Sequence, residues 1–122
     1  MAQCDPREQA RQLLDWNRHH LVANAQLDIA DIAERFAAQF TVRANGRTHP
    51  ADHAEYLEFL NSFRSDIKTI DYDVHDTVVD QSRVVLAMTA HIIRLDGTQN
   101  QFEAMLLLNF DAPGHLILWQ EV

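Results

Sequence analysis

The sequence predicts an α+β fold in which three N-terminal helices pack in the concave face of a curved antiparallel sheet, built from a short hairpin and a four-stranded meander. Two observations carry this. Four hydrophobic stretches, 67–79, 83–95, 99–110 and 115–122, fill the back half of the chain, and only short turns separate them: 80–82, Asp96-Gly97 and 111–114. Connections of that length join antiparallel neighbours and cannot hold the crossover that a parallel pair needs. The front half instead repeats apolar residues at helical spacing, and a curved sheet closing over those helices gives a cone.

Each element has its own signal. Asp5-Pro6 supplies an N-cap acceptor and a residue suited to the first turn, so the first helix should run from Pro6 to about His20, with Ala10, Leu13, Leu14 and Leu21 recurring at helical spacing. Asp28 can cap a second helix whose apolar face is Ile29, Ile32, Ala33 and Phe36. Residues 40–43 read as a short strand, Asn45-Gly46 as a tight turn and 47–49 as its return. Pro50 should open the third helix, with Tyr56, Leu57, Leu60 and Phe63 on one side and Asp52, Glu55, Glu58 and Asn61 mostly on the other.

At 122 residues and 47% hydrophobic, with three Gly and three Pro, the chain suits one domain, 1–122, around one core. Ten Lys+Arg against eighteen Asp+Glu give a net charge of −8, and no basic stretch can track phosphates, so nucleic acid is not an expected partner. The N-terminal segment has no basic and apolar regions of a signal peptide and no apolar run is long enough to span a bilayer, which points to a cytoplasmic protein without membrane association. Cys4 is the sole cysteine, close to an end expected to fray, so neither an internal disulfide nor a structural thiolate metal site is expected.

Treating Asp96-Gly97 as a two-residue turn sets Leu95 opposite Thr98 and places His91 with Phe102, Thr89 with Ala104 and Ala87 with Leu106 on one face. Taking 81–82 as the preceding turn adds Tyr72 opposite His91, Val74 opposite Thr89, Asp76 opposite Ala87 and Val78 opposite Val85. The last turn sets Leu106 against Trp119 and Ala104 against Glu121. This face, which holds Tyr72, Asp76, Thr89, His91 and Glu121 among apolar residues, should point at the helices and line a pocket for a small apolar ligand. The other face, with Met88, Met105, Leu86, Leu107, Leu116 and Leu118, is too apolar to leave in water. Pairing of two copies through Met88, Met105, Leu107 and Leu118 is the natural remedy.

His91 beside Tyr72 is the foremost candidate for chemistry, because an imidazole titrates near neutrality and a phenol donates or orients a hydrogen bond; a buried histidine satisfied by a tyrosine is the plainer alternative. Asp76 further along that face is a candidate general base or proton donor if buried, or simply a carboxylate at the sheet end. Glu121, next to the C-terminus, is expected to be frayed or exposed. From the first helix Trp16 and His20, four residues apart, can close the pocket from above, or Trp16 can be plain core. With Thr89, Phe102, Leu106 and Trp119 they complete the expected ligand-binding set. His49 and His53 have a ligand-like spacing, but Pro50 lies between them and no HExxH pattern exists. Gly46, Gly97 and Gly114 each fall in a turn, so there is no phosphate loop, and no GxSxG elbow occurs; no metal and no cofactor is expected.

The segment DIADIAERFAAQFTVRANG resembles the second helix, first strand and turn of the SnoaL-like, nuclear-transport-factor-2-like superfamily, and FEAMLLLNFDAPGHLILWQEV is similar to its two closing strands. By element order the resemblance covers nearly the whole chain and implies the cone fold. The superfamily holds isomerases, cyclases, dehydratases, hydrolases and non-enzymatic binding modules, so it leaves function open. In its ketosteroid isomerases the catalytic aspartate matches Ala44 here, the hydrogen-bonding aspartate matches Leu106, and the tyrosine of the first helix falls near Trp16 or His20. Steroid isomerisation by that mechanism is therefore not expected. SnoaL-type cyclases use an acidic base in the pocket, for which Asp76 is the nearest candidate by position. Two readings follow: a binding domain without turnover, or an acid–base enzyme of isomerase, lyase or cyclase type acting on a small apolar or polycyclic molecule.

Overall fold

The Asp5 carboxylate accepts a hydrogen bond from the Arg7 amide at 3.1 Å and Pro6 occupies the first turn, so α1 (Pro6–His20) starts and ends as its sequence predicts in the computed structural model, which describes residues 5–122. Cys4 lies outside the described residues. α2 (Ile29–Arg35) opens on a capping box between Asp28 and Asp31, and the chain leaves it at Phe36 to form β1 (Phe36–Ala44). Asn45 and Gly46 both take positive φ, 53° and 77°, the geometry of the two-residue hairpin turn that leads into β2 (Arg47–Asp52).

Pro50 does not open the third helix. It lies inside β2 opposite Thr41, at the edge of the sheet, where a missing N–H breaks no ladder. The helix waits for Asp52, whose carboxylate accepts from the Glu55 amide at 2.9 Å, and α3 spans His53–Phe63. The meander follows as β3 (Ile67–Asp80), β4 (Arg83–Arg94), β5 (Gln99–Phe110) and β6 (Leu116–Glu121), all antiparallel to their sequence neighbours. Hairpin and meander form a single six-stranded sheet in the order β2-β1-β6-β5-β4-β3. The sheet is mixed, because β1 and β6 pair in parallel. Turn lengths constrain only strands adjacent in sequence, so they are silent on this junction.

The register departs from expectation at three places, and the first two flip a set of side chains. The β4–β5 turn has three loop residues, with Gly97 at φ +88° and the Arg94 amide donating to the Thr98 carbonyl at 2.9 Å. His91 therefore pairs with Gln101, Ala90 with Phe102 and Met88 with Ala104. In β3 the pairing is as expected near the turn, with Asp76 opposite Ala87 and Val78 opposite Val85, but a bulge at His75 shifts the rest, so that Tyr72 meets Ala90 and Val74 meets Met88. The concave face thus carries Val84, Leu86, Met88, Ala90 and Ile92, all buried, while Asp76, Ala87, Thr89 and His91 turn to the convex face. Met88, Leu86 and Leu116, expected outside, belong to the core. β6 is displaced by two residues, pairing Leu106 with Glu121 and Leu108 with Trp119; an even slip keeps Trp119 and Glu121 facing inward. The helices close this side through Leu13, Leu14, Ile32 and Leu60. Among the described residues no helix is long and apolar enough to cross a membrane.

Candidate functional site

Between α1, α3 and the concave face lies a cavity of about 160 Å³, comparable with one that admits benzene. Asn17 enters it from α1: standing three and four residues beyond Leu14 and Leu13, it falls on the buried face of that helix and is 3% exposed. Its Nδ2 donates to the Tyr72 hydroxyl at 3.2 Å. The hydroxyl accepts that bond and keeps its own O–H for a further partner. Burial is the main cause that pushes the Tyr72 phenol up to about 12, with the Asn17 bond lowering it and the nearby Glu121 charge raising it. Tyr56 is raised too, by burial first and then by Tyr72 and Glu121. Both phenols are neutral donors across the physiological range.

Opposite them β6 supplies Trp119 and Glu121, and the indole N–H donates to the Glu121 carboxylate at 3.3 Å. The rim is aromatic. Phe59, Phe63 and Phe102 line the cavity yet are 56%, 40% and 42% exposed, and Phe59 stacks between Tyr56 and Phe63 with centroids 5.9 and 6.1 Å away. The arrangement is an apolar cone with two polar poles, a neutral phenol–amide pair and a carboxylate.

The sequence profile of the SnoaL-like domain matches residues 16–118. The chain belongs to the SnoaL-like domain family. Solved structures share the fold at low identity: a protein named as a candidate polyketide cyclase from Acidithiobacillus ferrooxidans is 16% identical over 100% of this chain and 90% of that one, with a TM-score of 0.78. An LEH-like epoxide hydrolase of M. tuberculosis is 13% identical over 95% and 76%, TM-score 0.73, and an NTF2-like protein of unknown function from Exiguobacterium sp. 255-15 is 12% identical over 93% and 96%, TM-score 0.72. These identities speak for the fold alone. A comparison with curated proteins finds no match.

In this SnoaL-like domain Tyr72, Phe102 and Trp119 line the cavity, and Leu106 is fully buried on the same face without lining it. Trp16 and His20 do not close it. Trp16 is core, 5.5 Å from the Phe36 ring and 4.7 Å from His20, with its indole N–H donating to the Asp31 carbonyl at 3.2 Å; His20 Nδ1 lies 3.3 Å from the Gln26 carbonyl. One step round the helix, Asn17 and Leu21 take that place.

His91, Asp76 and Thr89 lie on the convex face, out of reach of the cavity, so the expected grouping of His91 and Asp76 with Tyr72 on one face is corrected. His91 Nε2 is 3.0 Å from the Asp73 carboxylate. The Thr89 hydroxyl donates to Glu103 at 3.0 Å and sits 2.7 Å from His75 Nε2, whose N–H then donates to it. His53 Nε2 lies 2.9 Å from the Phe36 and Ala37 carbonyls, and no group of three His, Cys, Asp or Glu side chains suited to a metal occurs among the described residues. Asn17 and Phe59 went unnoticed in the sequence. A polar residue inside the apolar stripe of the first helix was the signal for Asn17.

Proposed function

We propose that this SnoaL-like domain binds a small, largely apolar molecule in the cone, with a polar atom of the ligand held by the Asn17–Tyr72 pair. The observation that supports it is that buried polar groups point into open apolar space, where a ligand and not the protein can satisfy the remaining Tyr72 proton. Trp119 stands in the lining, so its indole resonance reports occupancy. A library of small aromatic and cyclic compounds should yield binders that shift it, and Tyr72→Phe should weaken those with a polar acceptor by about 1 kcal/mol, roughly fivefold. A library that leaves the indole resonance unmoved throughout sinks this reading.

A second reading is favoured by Glu121 facing neutral phenols. Glu121 removes a proton from a carbon next to a carbonyl, while Tyr72, oriented by Asn17, donates to the oxygen on which charge develops. No step needs a cofactor. Solvent deuterium should then enter a bound ketone, and Glu121→Gln should abolish that exchange while binding persists.

The convex face supports self-association. Val78 and Met105 are exposed there, with Val85, Leu107 and Leu118 half-buried beside them, and pairing two copies covers this strip; Met88 has no part in it. Leu107→Glu should give a folded monomer by light scattering where the parent is a dimer. A variant that stays dimeric moves the interface elsewhere.

A further inference from the structure

Six of the seventeen residues lining the cone are aromatic, and one, Glu121, carries charge. No Lys, Arg or His lines it. Arg18, whose guanidinium lies 5.5 Å from the Tyr72 ring centroid, is held by Asp15 and Asp71, each at 2.6 Å, so it is committed elsewhere. An apolar cavity whose one charged group is a carboxylate offers an incoming anion no counter-charge, only the neutral Asn17–Tyr72 donors, while the anion would lose its water and meet a like charge. It offers an organic cation two complementary attractions. Ring faces attract an ammonium through their quadrupoles, most strongly at Trp and Tyr, and Glu121 supplies the counter-charge beside Trp119. Three half-exposed phenylalanines at the opening extend the aromatic surface outward. The overall charge of −8 adds a long-range field of the same preference.

We infer that the cone selects compact alkylammonium ligands, with the cationic head among Trp119, Tyr56 and the rim phenylalanines and against the Glu121 carboxylate. This rests on the proposal that the cone is a ligand site and adds the charge and class of what it holds. The neutral Asn17–Tyr72 pair fits the same class, since it can receive an uncharged hydroxyl or carbonyl at the far end of such a molecule.

Three probes of nearly one shape separate charge from volume: choline, 3,3-dimethylbutan-1-ol and 3,3-dimethylbutanoate, titrated into the full chain while the Trp119 indole resonance is followed. Choline should bind roughly tenfold more tightly than the alcohol, and the carboxylate weakest of all. Glu121→Gln should bring choline down toward the alcohol, and Phe102→Leu should weaken choline more than the alcohol, with an unaltered amide spectrum as the control for folding. Alcohol binding as tightly as choline, or a choline preference that survives Glu121→Gln, overturns the cation assignment while leaving the ligand site intact. If none of the three moves the indole resonance and neutral aromatic fragments do, the class is wrong; if nothing does, the ligand site itself falls.

Discussion

The two faces of the meander carry polar groups in opposite states. On the convex face His91 meets Asp73, and His75, Thr89 and Glu103 form a chain of hydrogen bonds, so these five side chains have partners within the sheet. On the concave face, among the described residues, the Tyr72 hydroxyl has Asn17 alone and the Glu121 carboxylate only the long bond from Trp119. The convex face is richer in histidine and carboxylate, yet the concave face has the unspent hydrogen-bonding capacity. Residue type marks a functional site poorly; what counts is whether a polar group is already satisfied and whether empty space lies in front of it.

The widest gap between the faces should appear in stability. Leu86 and Val85 are consecutive, and only Leu86 is in the core. Leu86→Ala should cost about 2–5 kcal/mol in urea unfolding, and Val85→Ala about 1 kcal/mol or less. Equal losses would mean that the register of β4 is wrong. Alkali should come next. Tyr72 has a folded-state pKa above its unfolded value of 10.0, so its stabilisation is whole below pH 10 and is lost as pH rises toward about 12, on the order of 2–3 kcal/mol in total. Tyr56 acts in the same direction. Tyr72→Phe should blunt the loss, and an alkaline profile identical to that of the parent would show the phenol to be solvated. The smallest effect belongs to the convex pairs: Asp73→Asn, which weakens a half-exposed contact to His91, should change stability by about 0.5 kcal/mol or less and leave ligand affinity untouched. A loss of binding from that change would return His91 to the site.

The elements were legible in the sequence, whereas the contrast between the two faces was not, and what was missed has identifiable causes. The start of the first helix at Asp5-Pro6 and the Asn45-Gly46 turn depend on local chemistry and stand as read. Phe102, Ala104, Leu106 and Leu108 were placed correctly because their alternation holds within one strand. The faces of β4 and of half of β3 were not, since period-two patterning inverts with one residue, and a three-residue loop around Gly97 and a bulge at His75 each supply one. Within β4 the polar Thr89 and His91 fall on one parity and Val84, Leu86, Met88 and Ile92 on the other, a pattern that favoured the observed register over the turn rule. Glu121 was expected to fray because it is the penultimate residue. Two backbone bonds beyond it, Met105 to Val122 at 3.2 Å and Val122 to Met105 at 3.0 Å, clamp the terminus and hold the carboxylate in the cone.

The bulge at His75 works on β3 like an inserted letter in a two-letter frame. His75 and Asp76 both lie against Ala87, so the outward phase is used twice and the strand resumes inward at Thr77 and Val79. Removing His75 alone would leave Tyr72 and Val74 inward, Asp76 outward and Thr77 inward, an uninterrupted frame that keeps the cone lining where it is. The spare residue is thus the place where the strand can be shortened without moving the cone lining, and what disappears with it is the local bend and added twist that a bulge gives a strand.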